Sequence, residues 1–454
     1  MNISAIVKNQ QVFYNTRVTK DIRFRIKYLK KLECWIRTHD KDIMRALGTD
    51  LNKPPFEAYA TEIGVVLDEL RYIIKRIPRW SRPKYVTSNL KNFPSHGRRY
   101  PEPYGVVLIM SPWNYPFMLT VTPIIAAVAA GNCAVVKPSA YAPATSALIA
   151  CMVKEVFYTR HVMVVEGGRF ENEQLLDERY DKILFTGSTA VGRRVMEAAA
   201  KHLTPVTLEL GGKSPCIVDE TADIRLAAKR IVWGKFINAG QTCVAPDYLL
   251  VHHTVKEKLI DEIIKAIVKA YGKNPCSSPD LCKIINEKHY RRLIGLLSGQ
   301  NVIYSGGCDE KDNKLGPTLI DNHSWDSDLM ADEIFGPILP VLTYSHSEEA
   351  VKIITAHPKP LAFYLFSRHK SAERYFLQNI SFGGGCINDT VMHLSVAKLP
   401  FGGVGESGMG CYHGKAGFDA FTHYRSVLHK SKLIDIPLRY PPYTDLALKL
   451  LKMV

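Results

Sequence analysis

The sequence predicts an α/β protein with two parallel sheets in tandem, and three observations support this class. Apolar strand-like runs and helical segments alternate between Tyr104 and Leu210. A second alternating series begins near Gly211, and the first 80 residues carry charged and apolar residues at helical spacing. Strands that alternate with helices are typical of a parallel, doubly wound sheet. Such sheets bind cofactors at the carboxyl ends of their strands.

The first series contains five short apolar runs that we predict to be strands. In chain order these are 104–110, 134–136, 162–165, 183–185 and 206–210. An Ala-rich helix is expected after the turn Ser111–Pro116, and another helix from about Ala144. The polar segment 84–103, rich in Pro, Tyr and Arg, predicts a crossover or an extended arm.

The second series is predicted from the same alternation. Its expected elements are a helix from Ile224 to about Ile237, a strand at Tyr248–His252, a helix at Val255–Tyr271, and strands near 340–343 and 362–366. The run Gly383–Gly385 predicts a turn that ends this region. A second irregular arm is expected beyond about residue 410.

Composition and charge restrict the classes of protein. The 59 Lys and Arg residues exceed the 44 Asp and Glu residues. Because the positive charges are spread along helices and no zinc finger or long basic tract is present, we expect no nucleic-acid partner. The ten cysteines contain no Cys-x-x-Cys pair and no zinc spacing, so we expect neither a disulfide framework nor a metal. No apolar run approaches the ~18 residues of a membrane span, and no secretory signal is evident. We therefore expect a cytoplasmic protein without a transmembrane segment.

Seven motifs in register carry a resemblance to a known family. In chain order they are Ser111–Pro116, Val136–Ser139, Phe185–Ser188, Leu208–Lys213, Gly240–Cys243, Glu333–Pro337 and Leu399–Gly403. Together they resemble the aldehyde dehydrogenase superfamily over nearly the whole chain. The segments Gly408–Gly414 and Leu438–Tyr443 are similar to class 3 members, the fatty and aromatic aldehyde group.

The resemblance implies an aldehyde dehydrogenase-like fold, with two Rossmann-like parallel α/β domains and a bridging arm. The implied bounds are 1–83 and 104–210 for an NAD(P)-binding domain, 211–409 for a catalytic domain, and 84–103 with 410–454 for bridging or oligomerisation arms and the tail. A homodimer is implied in the same way. The expected substrate is a small-molecule aldehyde, oxidised to a carboxylic acid with NAD or NADP.

Cys243 is the predicted nucleophile. An aldehyde has no easily transferred hydride, but the tetrahedral thiohemiacetal formed by a thiol has one, and hydride loss leaves a thioester. The segment Asn238–Cys243 places the thiol on a glycine-containing loop after a helix. The other nine cysteines are interpreted as structural.

Two further catalytic residues follow from the resemblance. The amide of Asn114 is expected to donate to the oxyanion together with the backbone N–H of Cys243, although an asparagine in this turn could simply cap a helix. Glu209 stands in an apolar strand, where burial would raise its pKa toward that of a general base. The family uses this position to activate the water that hydrolyses the thioester. The alternative is a glutamate that points into solvent.

Cofactor contacts are predicted at three groups of positions. Lys137, with Ser139 and Ala140 after it, is expected beside the adenosine ribose, and Glu333 with Phe335 beside the nicotinamide ribose. The third group, Gly187, Ser188 and Gly192, opens a helix whose N-terminus favours a pyrophosphate. Most members carry Glu where this chain has Ala140, so strict preference for NAD is in doubt. The formal G-x-G-x-x-G at Gly403–Gly408 lacks a preceding strand and is interpreted as a loop near the substrate mouth.

Tyr115, Trp233 and Phe401 are the predicted lining of an apolar substrate tunnel, with plain core packing as the alternative. Three other functions stay open. A coenzyme A-acylating dehydrogenase would not need Glu209, since thiolysis requires no water-activating base. A non-catalytic binding protein with the same fold would not need Cys243, Glu209 and Asn114 together. A cysteine hydrolase would not need the dinucleotide motifs.

Overall fold

A computed structural model describes residues 2–89, 92–322, 324–435 and 437–453. Leu90 and Lys91 of the predicted arm 84–103, and Ile436 and Val454 of the predicted arm 410–454, lie outside the described residues. The chain forms α-helices and β-strands in alternation, joined by short 3₁₀ turns and one π-helical turn at Tyr59–Ile63.

Helices and strands are numbered here in chain order. The helices are α1 Ile3–Asn15, α2 Ile22–Thr38, α3 Asp40–Leu51, α4 Pro55–Ala58, α5 Gly64–Trp80, α6 Met118–Ala130, α7 Pro143–Val156, α8 Arg169–Asp177, α9 Thr189–Ala200, α10 Ile224–Phe236, α11 Lys256–Tyr271, α12 Glu287–Leu296, α13 Asp328–Ala331, α14 Ser347–Thr355, α15 Lys370–Asn379, α16 Gly414–Ala420 and α17 Asp445–Lys452. The strands are β1 Lys84–Thr87, β2 Ser95–Pro103, β3 Val106–Met110, β4 Cys133–Lys137, β5 Val162–Val164, β6 Lys182–Thr186, β7 Val206–Glu209, β8 Pro215–Val218, β9 Tyr248–His252, β10 Val302–Ser305, β11 Cys308–Asp309, β12 Lys314–Leu315, β13 Thr318–Asp321, β14 Ile338–Tyr344, β15 Ala362–Phe366, β16 Gly384–Ile387, β17 Gly408–Met409 and β18 Thr422–Lys430.

The first 80 residues are helical, as their periodicity predicts. On α5, Val66, Leu70, Ile73 and Ile77 recur every three or four residues and are completely buried. This spacing places them on one face of the helix, which packs against α2 and α6.

The first α/β series forms a six-stranded sheet in the order β17-β7-β6-β3-β4-β5. All pairs are parallel except the antiparallel edge strand β17. Every residue of β3, β4 and β6 is buried because helices cover both faces. Burial on both faces explains why these strands read as continuous apolar runs in the sequence. The five predicted strands are confirmed to within a residue or two.

The second series forms a seven-stranded sheet in the order β10-β13-β14-β9-β8-β15-β16, in which only β10 pairs antiparallel. The prediction of a turn at Gly383–Gly385 is wrong, because Gly384–Ile387 forms the edge strand β16. A Cβ on Gly385 would lie 2.1 Å from the carbonyl oxygen of Phe363 on β15. The glycines here permit close backbone approach within a sheet, a use that composition alone does not distinguish from a turn.

The two predicted arms meet in a separate three-stranded antiparallel sheet, in the order β1-β2-β18. Strand β18 pairs with β2 along nine residues, from Thr422 to Lys430. Before β18, the helix α16 packs on α6, where Gly417 lies close to Ala126. Among the helices that the structure describes, none combines the length and apolar character needed to cross a bilayer.

Candidate active site

Cys243 lies on a tight loop between α10 and β9. The loop begins with a 3₁₀ turn at Ile237–Gly240, in which Asn238 and Ala239 adopt positive φ angles of 52° and 51°. Gly240 follows at φ 72°, and a Cβ there would lie 2.3 Å from the carbonyl oxygen of Gly336. Glycine is therefore required at position 240, because both the backbone conformation and the close contact exclude a side chain. This packing joins the Cys243 loop to the chain that follows Glu333.

Cys243 lines a cavity of about 620 Å³. The three predicted tunnel residues, Tyr115, Trp233 and Phe401, line the same cavity. Tyr115 and Phe401 are buried, whereas Trp233 is 44% exposed and stands at the opening. The hydroxyl of Tyr115 is hydrogen-bonded at 2.7 Å to Oγ1 of Thr242, the residue before Cys243. The tunnel wall and the nucleophile loop are thus directly connected.

Several further residues line this cavity and were not predicted from the sequence. They include Phe56, Val65, Met118, Leu119, Tyr271, Val391, Met392, Leu394, Tyr412 and His413. They come from six separated parts of the chain, so no local pattern connects them. Tyr412 and His413 belong to a motif quoted for the family resemblance, which is the only signal that could have found them.

Glu209 is the last residue of β7 and is 2% exposed. Both carboxylate oxygens lack a hydrogen-bond partner among the described residues. Burial raises the pKa of Glu209 well above its ordinary value, and no compensating bond lowers it. The alternative of a solvent-facing glutamate is therefore excluded by the structure. The Gly403–Gly408 segment ends beside this residue, since Gly408 on β17 is paired with Glu209.

The environment of Cys243 disfavours the thiolate. Burial raises the pKa of the Cys243 thiol, and the carboxylates of Glu333 and Glu209 raise this pKa further. Backbone N–H groups of Cys243 and Val244 act in the opposite direction. Both glutamates are therefore near enough to Cys243 to oppose ionisation of its thiol.

Asn114 lies in the turn between β3 and α6 and is 3% exposed. Its backbone carbonyl accepts a hydrogen bond of 2.7 Å from Nδ2 of Asn238, which also donates to the carbonyl of Gln241 at 3.1 Å. The Asn114 turn is therefore fastened to the turn that precedes Cys243. The side-chain Oδ1 of Asn114 is buried and has no partner among the described residues.

Lys137, Ser139 and Ala140 lie at the carboxyl end of β4. The ammonium of Lys137 donates to the carbonyls of Pro138 and Gly167, at 2.8 and 2.7 Å. Burial lowers the pKa of Lys137, while the nearby carboxylates of Glu171 and Glu166 raise it. Ser139 is half-buried, and Ala140 is exposed at this edge of the sheet.

Gly187, Ser188 and Gly192 lie at the carboxyl end of β6, where α9 begins. Ser188 is the N-cap of α9, but its side chain makes no capping hydrogen bond, so it offers no acceptor to the free N–H groups of the first turn. Gly187 and Gly192 fit closely against Phe185 and Leu210, since an added Cβ would lie 2.5 and 2.6 Å from these side chains.

Glu333 and Phe335 lie on the loop between α13 and β14. A Cβ on Gly211 would be 1.9 Å from Oε2 of Glu333, so this carboxylate rests directly on the backbone that follows β7. Desolvation and Asp247 raise the pKa of Glu333 well above its ordinary value. The ring of Phe335 packs edge-on against Trp113 at 5.3 Å.

Lys235 is a buried cation near Glu333 that the sequence reasoning missed. It is completely buried on α10, and its ammonium has no hydrogen-bond partner among the described residues. Burial lowers the pKa of Lys235 to about 8, and the carboxylates of Asp247 and Glu333 oppose this shift. The ion pair of Lys213 with Asp247, at 2.6 Å, lies in the same cluster.

The fold and the site together define a class of protein. The carboxyl edge of a parallel sheet carries the glycines and the helix N-terminus expected of a dinucleotide site. Beside it, a cavity is lined by Cys243, and Glu209 is a buried glutamate whose oxygens have no hydrogen-bond partner among the described residues. This combination is the one expected of an α/β enzyme with a cysteine in its substrate cavity and a nucleotide site at the sheet edge.

The chain belongs to the aldehyde dehydrogenase family, whose family model matches residues 3–427. It is 49% identical over 437 residues to 4,4'-diaponeurosporen-aldehyde dehydrogenase of Staphylococcus aureus, covering 96% of this chain and 95% of the relative. It is 42% identical to the dimeric, NADP-preferring aldehyde dehydrogenase of Canis lupus familiaris, covering 97% and 98% of the two chains. A structure of Staphylococcus aureus AldH in a substrate-bound state matches with a TM-score of 0.97 and 48% identity, over 100% of this chain and 99% of the other. The class 3 resemblance is confirmed, because family 3 members of Arabidopsis thaliana and Rattus norvegicus match at 43% and 42% identity.

Proposed function

We propose that this enzyme oxidises medium-chain, long-chain or aromatic aldehydes to carboxylic acids with NAD(P), with Cys243 as nucleophile and Glu209 as base. The proposal rests on the burial of Glu209 and on the absence of a hydrogen-bond partner for its carboxylate among the described residues. A fully buried carboxylate without a partner is costly, and its raised pKa suits a group that accepts a proton from water. The carboxylate of Glu209 raises the pKa of Cys243, the one cysteine among the described residues that lines the cavity of about 620 Å³.

The reaction divides into two halves. The thiolate of Cys243 adds to the carbonyl carbon, and the oxyanion receives hydrogen bonds from the Asn114 amide and the Cys243 backbone N–H. Hydride leaves this carbon, and a thioester remains on Cys243. Glu209 then takes a proton from water as the oxygen attacks the thioester, which releases the acid and the free thiol. Bound NAD(P)⁺ would supply the hydride acceptor.

The cofactor is proposed to lie along the carboxyl edge of the six-stranded sheet. Lys137, Ser139 and Ala140 would face the adenosine ribose, and the N-terminus of α9 would face the pyrophosphate through Gly187, Ser188 and Gly192. Glu333 would accept hydrogen bonds from the nicotinamide ribose, with Phe335 beside it. The uncapped helix start and the close glycine contacts support this fit.

The substrate class follows from the cavity. Its walls are mostly aromatic and aliphatic side chains, and its volume of about 620 Å³ exceeds what a short aldehyde needs. Burial of each CH₂ group contributes about 0.8 kcal/mol, so kcat/KM should rise with chain length until the cavity is full. The Staphylococcus aureus relative is named for a large apolar aldehyde.

The wider organisation is proposed from the family. The segments 1–83 and 104–210 would bind the cofactor, 211–409 would carry catalysis, and 84–103 with 410–454 would bridge two subunits of a cytoplasmic homodimer. The dimeric relative of Canis lupus familiaris supports the dimer.

The decisive experiment separates acylation from deacylation. In Glu209→Gln, steady-state turnover should fall by ~10²–10⁴-fold, the range for a lost general base, while a rapid burst of NAD(P)H equal to the enzyme concentration should survive. Cys243→Ala should abolish both phases and still bind cofactor. Loss of the burst in a folded Glu209→Gln protein would contradict the division of roles. Turnover of the parent that depends on added coenzyme A would show an acylating dehydrogenase instead.

A further inference from the structure

A buried ion pair lies beneath the turn that carries Asn114. Nζ of Lys53 and Oε1 of Glu62 are 2.6 Å apart, and both side chains have no exposed surface. Lys53 follows α3 and precedes Pro54, and Glu62 lies in the π-helical turn Tyr59–Ile63. A π-helical turn is rare and occurs frequently at functional sites.

The pair makes its remaining contacts to residues 114–118. Oε2 of Glu62 accepts hydrogen bonds from the backbone N–H groups of Phe117 and Met118, at 2.9 and 3.2 Å. The ammonium of Lys53 lies 3.5 Å from the carbonyl oxygen of Asn114 and 4.2 Å from the centre of the Tyr115 ring. One ion pair therefore contacts four of the five residues of this turn.

The segment 53–62, which contains this ion pair, also contacts the loop that carries Cys243. Oε1 of Glu57, on α4, accepts a hydrogen bond of 2.9 Å from the backbone N–H of Asn238. The side chain of Asn238 in turn donates to the carbonyl of Asn114. Residues 53–62 are thus bonded both to the 114–118 turn and to the turn before Cys243. The proposed reaction requires a fixed distance between these two turns.

Stability alone does not account for this arrangement. Removing two charges from water costs free energy, and an apolar pair of similar volume is often as stable as a buried ion pair. An oxyanion donor, in contrast, must lie within a few tenths of an ångström of the developing charge, and a misplacement of 1 Å can reduce the rate by ~10²-fold. Charge-assisted hydrogen bonds supply this directional control.

We propose that Lys53 and Glu62 are positioning residues for the oxyanion site, which they hold in register with Cys243 through the 114–118 turn. This inference rests on the proposed role of Asn114. Neither side chain lines the cavity itself, so the effect acts through the 114–118 turn and the Tyr115 ring. It predicts a loss of kcat without a loss of cofactor binding.

The test compares Lys53→Met/Glu62→Gln with the parent enzyme. The glutamine keeps an acceptor for the two N–H groups, and the pair is neutral, so no charge is left buried alone. We expect kcat to fall by ~10–100-fold, with the dissociation constant for NADP, measured by fluorescence quenching, changed by less than about twofold. Lys182→Met is the matched control, because Lys182 is also buried but lies at the amino end of β6, away from the cofactor edge. It should keep the parental kcat.

A double-mutant cycle with Asn114→Ala decides the mechanism. Asn114→Ala alone should reduce kcat by ~10²–10³-fold, and the ion-pair change should have little further effect in that background. Parental kcat in the folded ion-pair variant, or full additivity with Asn114→Ala, would overturn the positioning role. Parental kcat in Asn114→Ala alone would instead contradict the oxyanion role of Asn114. The ion-pair variant therefore tests the positioning role, and Asn114→Ala tests the proposed mechanism. If Lys53→Met/Glu62→Gln does not fold, Lys53→Gln/Glu62→Gln, checked by circular dichroism, gives the same comparison with both charges still removed.

Discussion

At the scale of single residues, burial acts against the charged forms that the proposed reaction uses. Cys243 and Glu209 are both placed where burial disfavours their charged forms. Neither group is activated by a cation in direct contact; the buried cation of the site, Lys235, acts on Glu333 instead.

The first prediction concerns the reactivity of Cys243. Because burial and the two glutamates raise the pKa of the thiol, alkylation of Cys243 in the cofactor-free enzyme should be slow at pH 7. The rate should rise about tenfold per pH unit up to at least pH 9, since only the thiolate reacts. Iodoacetamide labelling of the Cys243 peptide, followed by mass spectrometry, measures this. A rate independent of pH from neutrality upward would show that the site stabilises the thiolate.

The second prediction concerns cofactor choice at Ala140. A glutamate here would accept hydrogen bonds from the ribose hydroxyls of NAD and repel the 2′-phosphate of NADP. A lost charge-assisted hydrogen bond costs ~1.5–3 kcal/mol, so the parent should bind NAD roughly 10- to 100-fold more weakly than a glutamate-bearing relative. Ala140 is exposed at the sheet edge, so the substitution meets no core packing.

We therefore expect the parent to use NADP at least as well as NAD, and Ala140→Glu to shift the ratio of kcat/KM values toward NAD. Steady-state kinetics with both cofactors measure the ratio. Phe170→Glu, at an exposed site on α8, controls for added negative charge. Strict NAD use by the parent, or an unchanged ratio in the variant, contradicts the idea.

At the scale of elements, helix α5 holds the segment that closes one side of the cavity. Glu69 on α5 is 4% exposed and accepts a hydrogen bond of 2.6 Å from the backbone N–H of Gly414. The preceding residues, Tyr412 and His413, line the cavity. His413 and Gly414 both have positive φ angles, so this segment depends on outside contacts for its conformation.

The third prediction is a pH dependence of stability at Glu69. Burial raises the pKa of Glu69 from 4.5 to about 7, against the effect of the Gly414 N–H. In the unfolded chain the Glu69 carboxyl loses its proton near pH 4.5, but in the folded protein it does so only near pH 7. The free energy of unfolding is therefore highest below pH 4.5, where Glu69 is protonated in both states. It decreases as the pH rises towards 7, because only the unfolded chain is then free to ionise. The melting temperature should therefore fall more from pH 5 to pH 8 in the parent than in Glu69→Gln, which cannot ionise. Equal falls in both proteins would exclude this residue as the cause.

At the scale of the whole molecule, two segments 300 residues apart in the chain form one exposed sheet. In the β1-β2-β18 sheet, Val86 and Leu428 are both paired with Gly97 and are 44% and 51% exposed. Gly97 has no side chain to separate them, so they form an apolar patch. This patch is where we expect the partner subunit to pack.

The fourth prediction tests the proposed homodimer. Val86→Asp/Leu428→Asp should convert the dimer to monomers, because two carboxylates would be buried at the interface. Sedimentation velocity measures the change in mass. Leu203→Asp is the control, since Leu203 is 91% exposed and lies after α9, outside the β1-β2-β18 sheet. A dimer that persists in the double variant would place the interface elsewhere.

The sequence alone determined the strands of the first sheet and the helical character of the first 80 residues, and it supplied the candidates for the reactive residues. Apolar runs such as Val106–Met110 and Cys133–Lys137 are local features, and strands buried on both faces need no distant information to be recognised. Cys243, Glu209 and Asn114 were found from motifs of a few residues each. The strand Gly384–Ile387 was missed because glycines serve turns and close sheet contacts equally well. The segment beyond residue 410, expected to be irregular, instead contains α16, β18 and α17, and β18 is specified by its pairing with the distant β2.

Only the tertiary structure decided what surrounds those residues. The Lys53–Glu62 pair, the buried Lys235 and the cavity wall of Val391, Met392 and His413 have no local signature, since each depends on a partner from a distant part of the chain. Burial, hydrogen bonding and pKa are properties of neighbours in space. Sequence patterns therefore identify candidate reactive groups, whereas tertiary packing determines the position, the hydrogen bonds and the pKa of each group.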